Sequence, residues 1–213
     1  MHYRQATSLS PQNAQLWNEL ASVQFVQGHT QEALATLDRS LSLDRQYPQT
    51  YLQRADMLVA TGDKAGALAA YRAAAELTPK DIAVQSAVGV YSAQLGDPEG
   101  ALAAFRRIIE LESAALDLDE RQLADLEALV ARSGGYSMLL PAATSRREAL
   151  RGSIAARSGQ LHLMWRNTAL VLRDANRLPE ALAAARTALT YASEGDKPTL
   201  DALIADLQRM SGG

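Results

Sequence analysis

The chain has 213 residues, of which 47% are apolar and 5% aromatic, and its formal net charge is −3 at pH 7. This weakly acidic balance excludes the basic surface typical of nucleic-acid binding. The absence of cysteine excludes disulfides, thiol catalysis and thiolate metal sites. No apolar run reaches the roughly 18 residues that span a bilayer, and the first residues do not resemble a signal peptide. The location stays unknown, either cytoplasmic or periplasmic, with tethering to a membrane possible in a longer parent protein.

One short pattern recurs three times at an interval of 34 residues. In each copy a glycine precedes an alanine by five positions: Gly28 and Ala33, Gly62 and Ala67, Gly96 and Ala101. Glycine is frequent just beyond a helix end because it adopts left-handed backbone angles without strain. Apolar residues at helical spacing flank each glycine, which predicts two antiparallel helices per copy. A fixed period of this length predicts an all-α solenoid of stacked helix pairs.

The predicted units follow the period in chain order. They are the second helix of a truncated repeat over 1–11, regular repeats over 12–45, 46–79 and 80–113, a degenerate long repeat over 114–160, a regular repeat over 161–195 and a capping helix over 196–213. The fourth unit is over length because Ala181 lies 80 residues beyond Ala101, which is 12 more than two periods. We expect its first helix to end at Gly134-Gly135, a loop over 136–141, and a second helix over 143–158 that Gly159 ends. The missing first helix of the opening repeat predicts self-association through Tyr3, Ala6 and Leu9.

The repeats resemble the tetratricopeptide repeat (TPR) family. The matching residues are Trp17, Leu20, Ala21, Gly28, Ala33 and Leu37 in one copy, Tyr51, Ala55, Gly62, Ala67, Tyr71, Ala74 and Pro79 in the next, and Val88, Gly89, Gly96, Ala101 and Phe105 in the third. Arg54 departs from the pattern, since the family prefers leucine there. The resemblance implies a right-handed superhelix whose first helices line a concave groove. In this family the groove commonly holds an extended peptide or a partner's helix, which implies a non-catalytic scaffold.

The helical phase assigns groove positions on four first helices. They are Asn18, Glu19, Ser22 and Phe25; Leu52, Gln53, Asp56 and Val59; Ser86, Val90 and Ala93; and Arg166, Asn167, Leu170 and Arg173. One subclass of the family grips a partner's C-terminal carboxylate with lysines and asparagines. Asn18 is a candidate for such an asparagine, but the chain's three lysines lie outside the groove in this phase. The lining is mixed, which fits a segment anchored by a few buried side chains.

Two other functions stay open at this stage. The first two units are similar to repeats that follow the membrane domain of bacterial O-antigen polymerases and ligases, which would make the chain the soluble tail of a larger envelope protein. An enzyme with a site in the irregular fourth unit is the minor alternative.

Neither a cofactor nor a metal site is predicted. His29 and His162 are interpreted as solvated residues at a turn and at a helix start. Asp117, Asp119 and Glu120 are interpreted as acidic residues at a helix N-terminus, since they lack the glycine and further oxygen ligands of a calcium loop. The arginines of 146–157 are interpreted as a charged outer helix face, with an anionic partner or membrane surface as the alternative. Trp17 and Trp165 are predicted to lie in the core.

Overall fold

The structure is a computed structural model that describes residues 2–132 and 140–212. Within these ranges the chain forms ten α-helices and no strand, which confirms the predicted all-α class. The helices are α1 (His2–Leu9), α2 (Ala14–Val26), α3 (Thr30–Leu43), α4 (Pro48–Ala60), α5 (Lys64–Leu77), α6 (Ile82–Gln94), α7 (Pro98–Arg132), α8 (Leu140–Asp174), α9 (Leu178–Thr190) and α10 (Lys197–Ser211).

The chain divides into two compact units, Met1–Ala101 and Leu102–Gly213. In the first unit α2 packs on α3, α4 packs on both α3 and α5, and α5 packs on α6. The first helices of neighbouring repeats also touch, because α2 contacts α4 directly. In the second unit α8 packs on α9, and α9 packs on α10. The assignment of 1–213 to a single solenoid stays a prediction.

The turn inside each helix pair has one repeated geometry. Gly28, Gly62 and Gly96 have φ values of 84°, 82° and 74°. The following residue donates its backbone N–H to the carbonyl five positions back, as from Asp63 to Leu58 at 2.9 Å, which closes the helix end. Between α8 and α9 the same position is held by Asn176 with φ 58°. Asparagine tolerates this conformation better than other residues with a β-carbon, so the turn persists without glycine.

Alanines make close packing possible in the first unit. Ala21 and Ala33 are fully buried and form a core cluster with Leu37 and Met57, which ties α2, α3 and α4 together. Phe25 is partly buried against this cluster. A side chain of one carbon at a helix crossing lets the two axes approach, and the larger apolar residues then fill the space around it.

The fourth predicted repeat, over 114–160, differs from the expectation. α7 is a single helix of 35 residues from Pro98 to Arg132, so no break separates the third predicted repeat from the fourth. The reason is local: Thr78 and Pro79 stop the corresponding helix one repeat earlier, whereas Glu112 and Ser113 stand at the equivalent positions. The expected helix end at Gly159 is also wrong, because α8 continues through it to Asp174. The predicted end at Gly134-Gly135 lies outside the described residues, as does most of the 136–141 loop.

The extra length of α7 and α8 forms an antiparallel hairpin, here called the helical arm (residues 112–132 and 140–161). Each helix carries one seam of buried and partly buried residues at alternating intervals of four and three residues, the spacing of a coiled coil. The seam residues are Glu112, Leu116, Asp119, Leu123, Leu126 and Val130 on α7, and Ala143, Arg147, Leu150, Ile154, Arg157 and Leu161 on α8. At 1.5 Å per residue each side of the arm is roughly 30 Å long.

Candidate binding surface

Asn18 occupies the contact between α2 and α4. Its side chain is 3% exposed. Its Nδ2 donates to Thr50 Oγ1 at 2.8 Å, and its Oδ1 lies 3.1 Å from the same hydroxyl. Ser40 Oγ lies 3.4 Å from Thr50 Oγ1 and donates to the Ala14 carbonyl at 2.9 Å. A buried amide engaged in this way is a structural link between helices. The candidate match of Asn18 to a carboxylate-gripping asparagine therefore has no geometric support.

A second polar contact joins α2 to α4 one turn after Asn18, at Ser22. Gln53 Nε2 donates to Ser22 Oγ at 3.2 Å, and both side chains are partly buried. Leu52 and Phe25 are also partly buried. These predicted groove residues are brought together on adjacent helices.

Asp56 lies on the exposed side of α4 and is oriented by a tyrosine of α5. Tyr71 Oη donates to Asp56 Oδ1 at 2.9 Å. The Tyr71 ring stacks on Tyr91 of α6, with centroids 5.7 Å apart and an angle of 16° between the planes. Burial, followed by the hydrogen bond to Asp56, raises the pKa of Tyr71 well above its ordinary value. The hydroxyl therefore stays protonated at neutral pH and can donate this hydrogen bond to the Asp56 carboxylate.

Exposed aliphatic side chains accompany this carboxylate. Val59 and Val90 are 37% and 38% exposed. Ala93 and Glu19 are exposed as well, and Ser86 is half-buried. We call the surface of α2, α4 and α6 the first-helix face, and its residues are Glu19, Ser22, Phe25, Leu52, Gln53, Asp56, Val59, Ser86, Val90 and Ala93.

The three helices of this face carry few charges. α2 contains Glu19, α4 contains Arg54 and Asp56, and α6 contains none. Arg54, the departure from the family pattern, forms an ion pair with Asp38 of α3. The base is therefore engaged with the preceding helix pair.

The four groove positions predicted in the last repeat lie on the second half of α8. Arg166, Asn167, Leu170 and Arg173 are all partly buried. Arg173 pairs with its neighbour Asp174 at 2.8 Å. Arg166 Nε is buried without a hydrogen-bond partner among the described residues. These residues belong to the second unit.

The arginines of 146–157 do not form a free outer face. Arg157 donates to Asp119 at 2.8 Å and to Glu112 at 2.9 Å, and Ser153 donates to Asp119 at 2.6 Å. Two exposed contacts continue the series along the arm, from Arg151 to Glu127 and from Arg146 to Gln122. The interpretation of a charged outer face is therefore wrong for Arg157, which is partly buried and links α8 to α7, whereas Arg146 and Arg151 are exposed as expected.

The acidic cluster also requires correction. Asp117, Asp119 and Glu120 lie in the middle of α7, so no helix N-terminus explains them. The hydrogen bond from Ser153, followed by that from Arg157, lowers the pKa of Asp119. The same interactions with Asp119 and Glu112 raise the pKa of Arg157. Both groups are held in their charged forms, which is typical of a structural ion pair.

The interpretation of His162 as a solvated residue at a helix start is wrong. His162 lies inside α8 and is 4% exposed, with Nδ1 3.4 Å from the Ala188 carbonyl of α9. His29 is at the turn, as expected, and its Nδ1 is 3.5 Å from Glu32 Oε2. In 2–132 and 140–212 no group of three His, Cys, Asp or Glu residues could hold a metal ion. In the same part of the chain, no helix is long and apolar enough to cross a bilayer.

A cavity of about 350 Å³ lies between α7 and α8 in the arm. Its ionisable lining residues are Glu127 and Arg147, with Leu126 and Val130 among the apolar ones. Glu127 is already paired with Arg151 at 3.0 Å. Among the described lining residues no two groups have opposite proton-transfer roles, so these residues give the enzyme alternative no support.

Comparisons with known proteins concern the fold of the chain. Two crystal structures of the MamA protein are similar in fold, with TM-scores of 0.55 and 0.54, each at 14% identity. They cover 92% and 89% of this chain and 81% and 84% of their own chains. YrrB, a TPR protein with an unusual peptide-binding site, has a TM-score of 0.47 at 16% identity over 98% of both chains. No curated protein sequence matches the chain.

The sequence model of the tetratricopeptide repeat family matches residues 2–49 and 52–117, together more than half of the chain. The repeated helix pairs, their common turns and this match lead to one conclusion: the chain belongs to the tetratricopeptide repeat family.

Proposed function

We propose that the chain is a non-catalytic binding module, and that its first-helix face holds a segment of another protein. Tetratricopeptide repeat folds are typical of protein–protein interaction scaffolds, which supports the general class. The segment is an extended peptide or a helix laid across α2, α4 and α6.

The observation that carries this proposal is the exposure of aliphatic side chains on the face. Val59 and Val90 lie on first helices, yet each keeps more than a third of its surface in contact with solvent. Covering such surface is favourable by about 25 cal/mol per Å². Between the helices, Gln53 Nε2 already donates to Ser22 Oγ within the unit, whereas Gln53 Oε1 is buried without a hydrogen-bond partner among the described residues. A partner would therefore gain its affinity from the exposed aliphatic groups and the nearby carboxylate.

The soluble tail of an O-antigen polymerase-like or ligase-like protein was the alternative origin of the chain. Neither the family match nor the similar structures support it. The partner's identity stays open under this proposal.

Site-specific photo-crosslinking tests the proposed face. A benzophenone amino acid at Val59 should crosslink a partner in a native extract, and Val90→Glu in the same chain should abolish that product. The matched control carries the same probe at Ala35, an exposed position on the second helix α3. Equal products from both positions, or a Val59 product that persists with Val90→Glu, would show that this face is not the binding surface.

A further inference from the structure

The charge of the first-helix face points to the chemistry of its occupant. Glu19 and Asp56 are exposed carboxylates, and neither has an arginine or lysine partner in the described structure. The single base on the three helices, Arg54, is held by Asp38. The face is therefore acidic across α2 and α4 and uncharged across α6.

The Asp56 carboxylate is held in one orientation, so that it can accept a hydrogen bond from a basic group. The hydrogen bond from Tyr71 holds Oδ1, and the stack of Tyr71 on Tyr91 restrains the tyrosine in turn. Val90 occupies the position one period after Asp56, and Val59 lies one turn further along α4. An oriented carboxylate thus stands beside exposed aliphatic side chains.

We infer that the occupant is a short segment with a lysine or arginine beside aliphatic side chains. This inference rests on the proposed function and names the partner chemistry of the same face. The basic group pairs with Asp56, and the aliphatic groups cover Val59 and Val90. Packed helices lie about 8–10 Å apart, so a segment that crosses three first helices needs roughly six extended residues.

Selection from a random dodecapeptide display library tests the inference with the full chain as the target. The enriched peptides should carry lysine or arginine next to aliphatic residues. Asp56→Asn should raise their Kd about two- to five-fold at low salt, as expected for one charge pair at an interface rim. The effect should shrink when salt is raised, because exposed charges are screened.

Glu76→Gln is the matched control. Glu76 is exposed on the second helix α5, and this substitution changes the net charge by the same amount as Asp56→Asn. It should leave the Kd unchanged. An equal loss in both variants would reduce the preference to general attraction by the net charge of −3 and overturn the inference.

The outcomes also separate this inference from the proposed function. Enriched peptides that are acidic or uncharged, but lose binding with Val90→Glu, would overturn the basic-segment inference and leave the binding face intact. Peptides insensitive to Val90→Glu, or no enrichment at all, would count against both.

Discussion

The outward side of the arm carries two glycines inside a helix, and replacing them should stabilise the protein. Gly152 and Gly159 lie within α8, and a β-carbon at either position would meet no atom within 4 Å other than the neighbouring backbone of α8 itself. Glycine costs about 1 kcal/mol relative to alanine in a helix interior. We therefore predict that Gly152→Ala and Gly159→Ala each stabilise the arm.

The size of the effect follows from their separation. The two positions are seven residues apart, roughly 10 Å along the helix. At this distance and without shared contacts the contributions should add to about 2 kcal/mol. If the arm opens as a local unit, this free energy lowers its open population roughly 30-fold.

Amide hydrogen exchange measures this directly. The double variant should show about 30-fold slower exchange in α8 over residues 145–160, with little change in α2 to α5. Gly66→Ala is the matched control, because Gly66 is also helical but its β-carbon would lie 2.5 Å from Asp63 Oδ2. That carboxylate accepts from the Gly66 backbone at 2.8 Å, so the cap must move and no gain is expected. Unchanged or faster exchange in the double variant would refute the reasoning and show that another surface needs the small residues.

Two further predictions concern the ion pairs of the arm. Arg157→Met should destabilise the arm by about 1–3 kcal/mol because it leaves the buried Glu112 carboxylate without its charged donor. Arg151→Met should cost less than about 0.5 kcal/mol, since its pair with Glu127 is exposed. Equal effects in urea unfolding would contradict this ranking. Because the pKa of Asp119 is lowered in the folded chain, its contribution should be present above the ordinary aspartate pKa and lost as pH falls through the lowered value. The difference in unfolding midpoint between the native chain and Asp119→Asn should therefore shrink as the pH falls below the ordinary aspartate pKa, and a difference that does not change with pH would contradict the assignment.

Some features followed from the sequence because they depend on neighbouring residues. The helix-pair turn needs a left-handed residue after the helix, and glycine at 28, 62 and 96 meets that need locally. Asn176 also meets it, although only its distance from Ala181 could have indicated the turn in advance. The positions of Val59, Val90 and Asp56 on one face follow from the same helical phase.

Other features depended on contacts between residues far apart in sequence. Asn18 could be assigned to the groove from its helical phase, but its burial depends on Thr50, 32 residues away. The sequence predicted an outer face for the arginines of 146–157, but Arg157 pairs with Glu112, 45 residues away across the hairpin. The arm itself arises because no proline or glycine interrupts α7 after the third repeat, and because its seam finds a partner in α8.

The sequence by itself determined the period, the turns and the class of the fold, since these arise from backbone preferences and the spacing of apolar residues within one helix pair. Only the tertiary structure decided which polar side chains are available to a partner. Exposure depends on how distant segments cover a side chain. Asp56 therefore stays exposed to solvent although it accepts a hydrogen bond from Tyr71, whereas Asp119 is partly buried in an ion pair with Arg157 inside the arm.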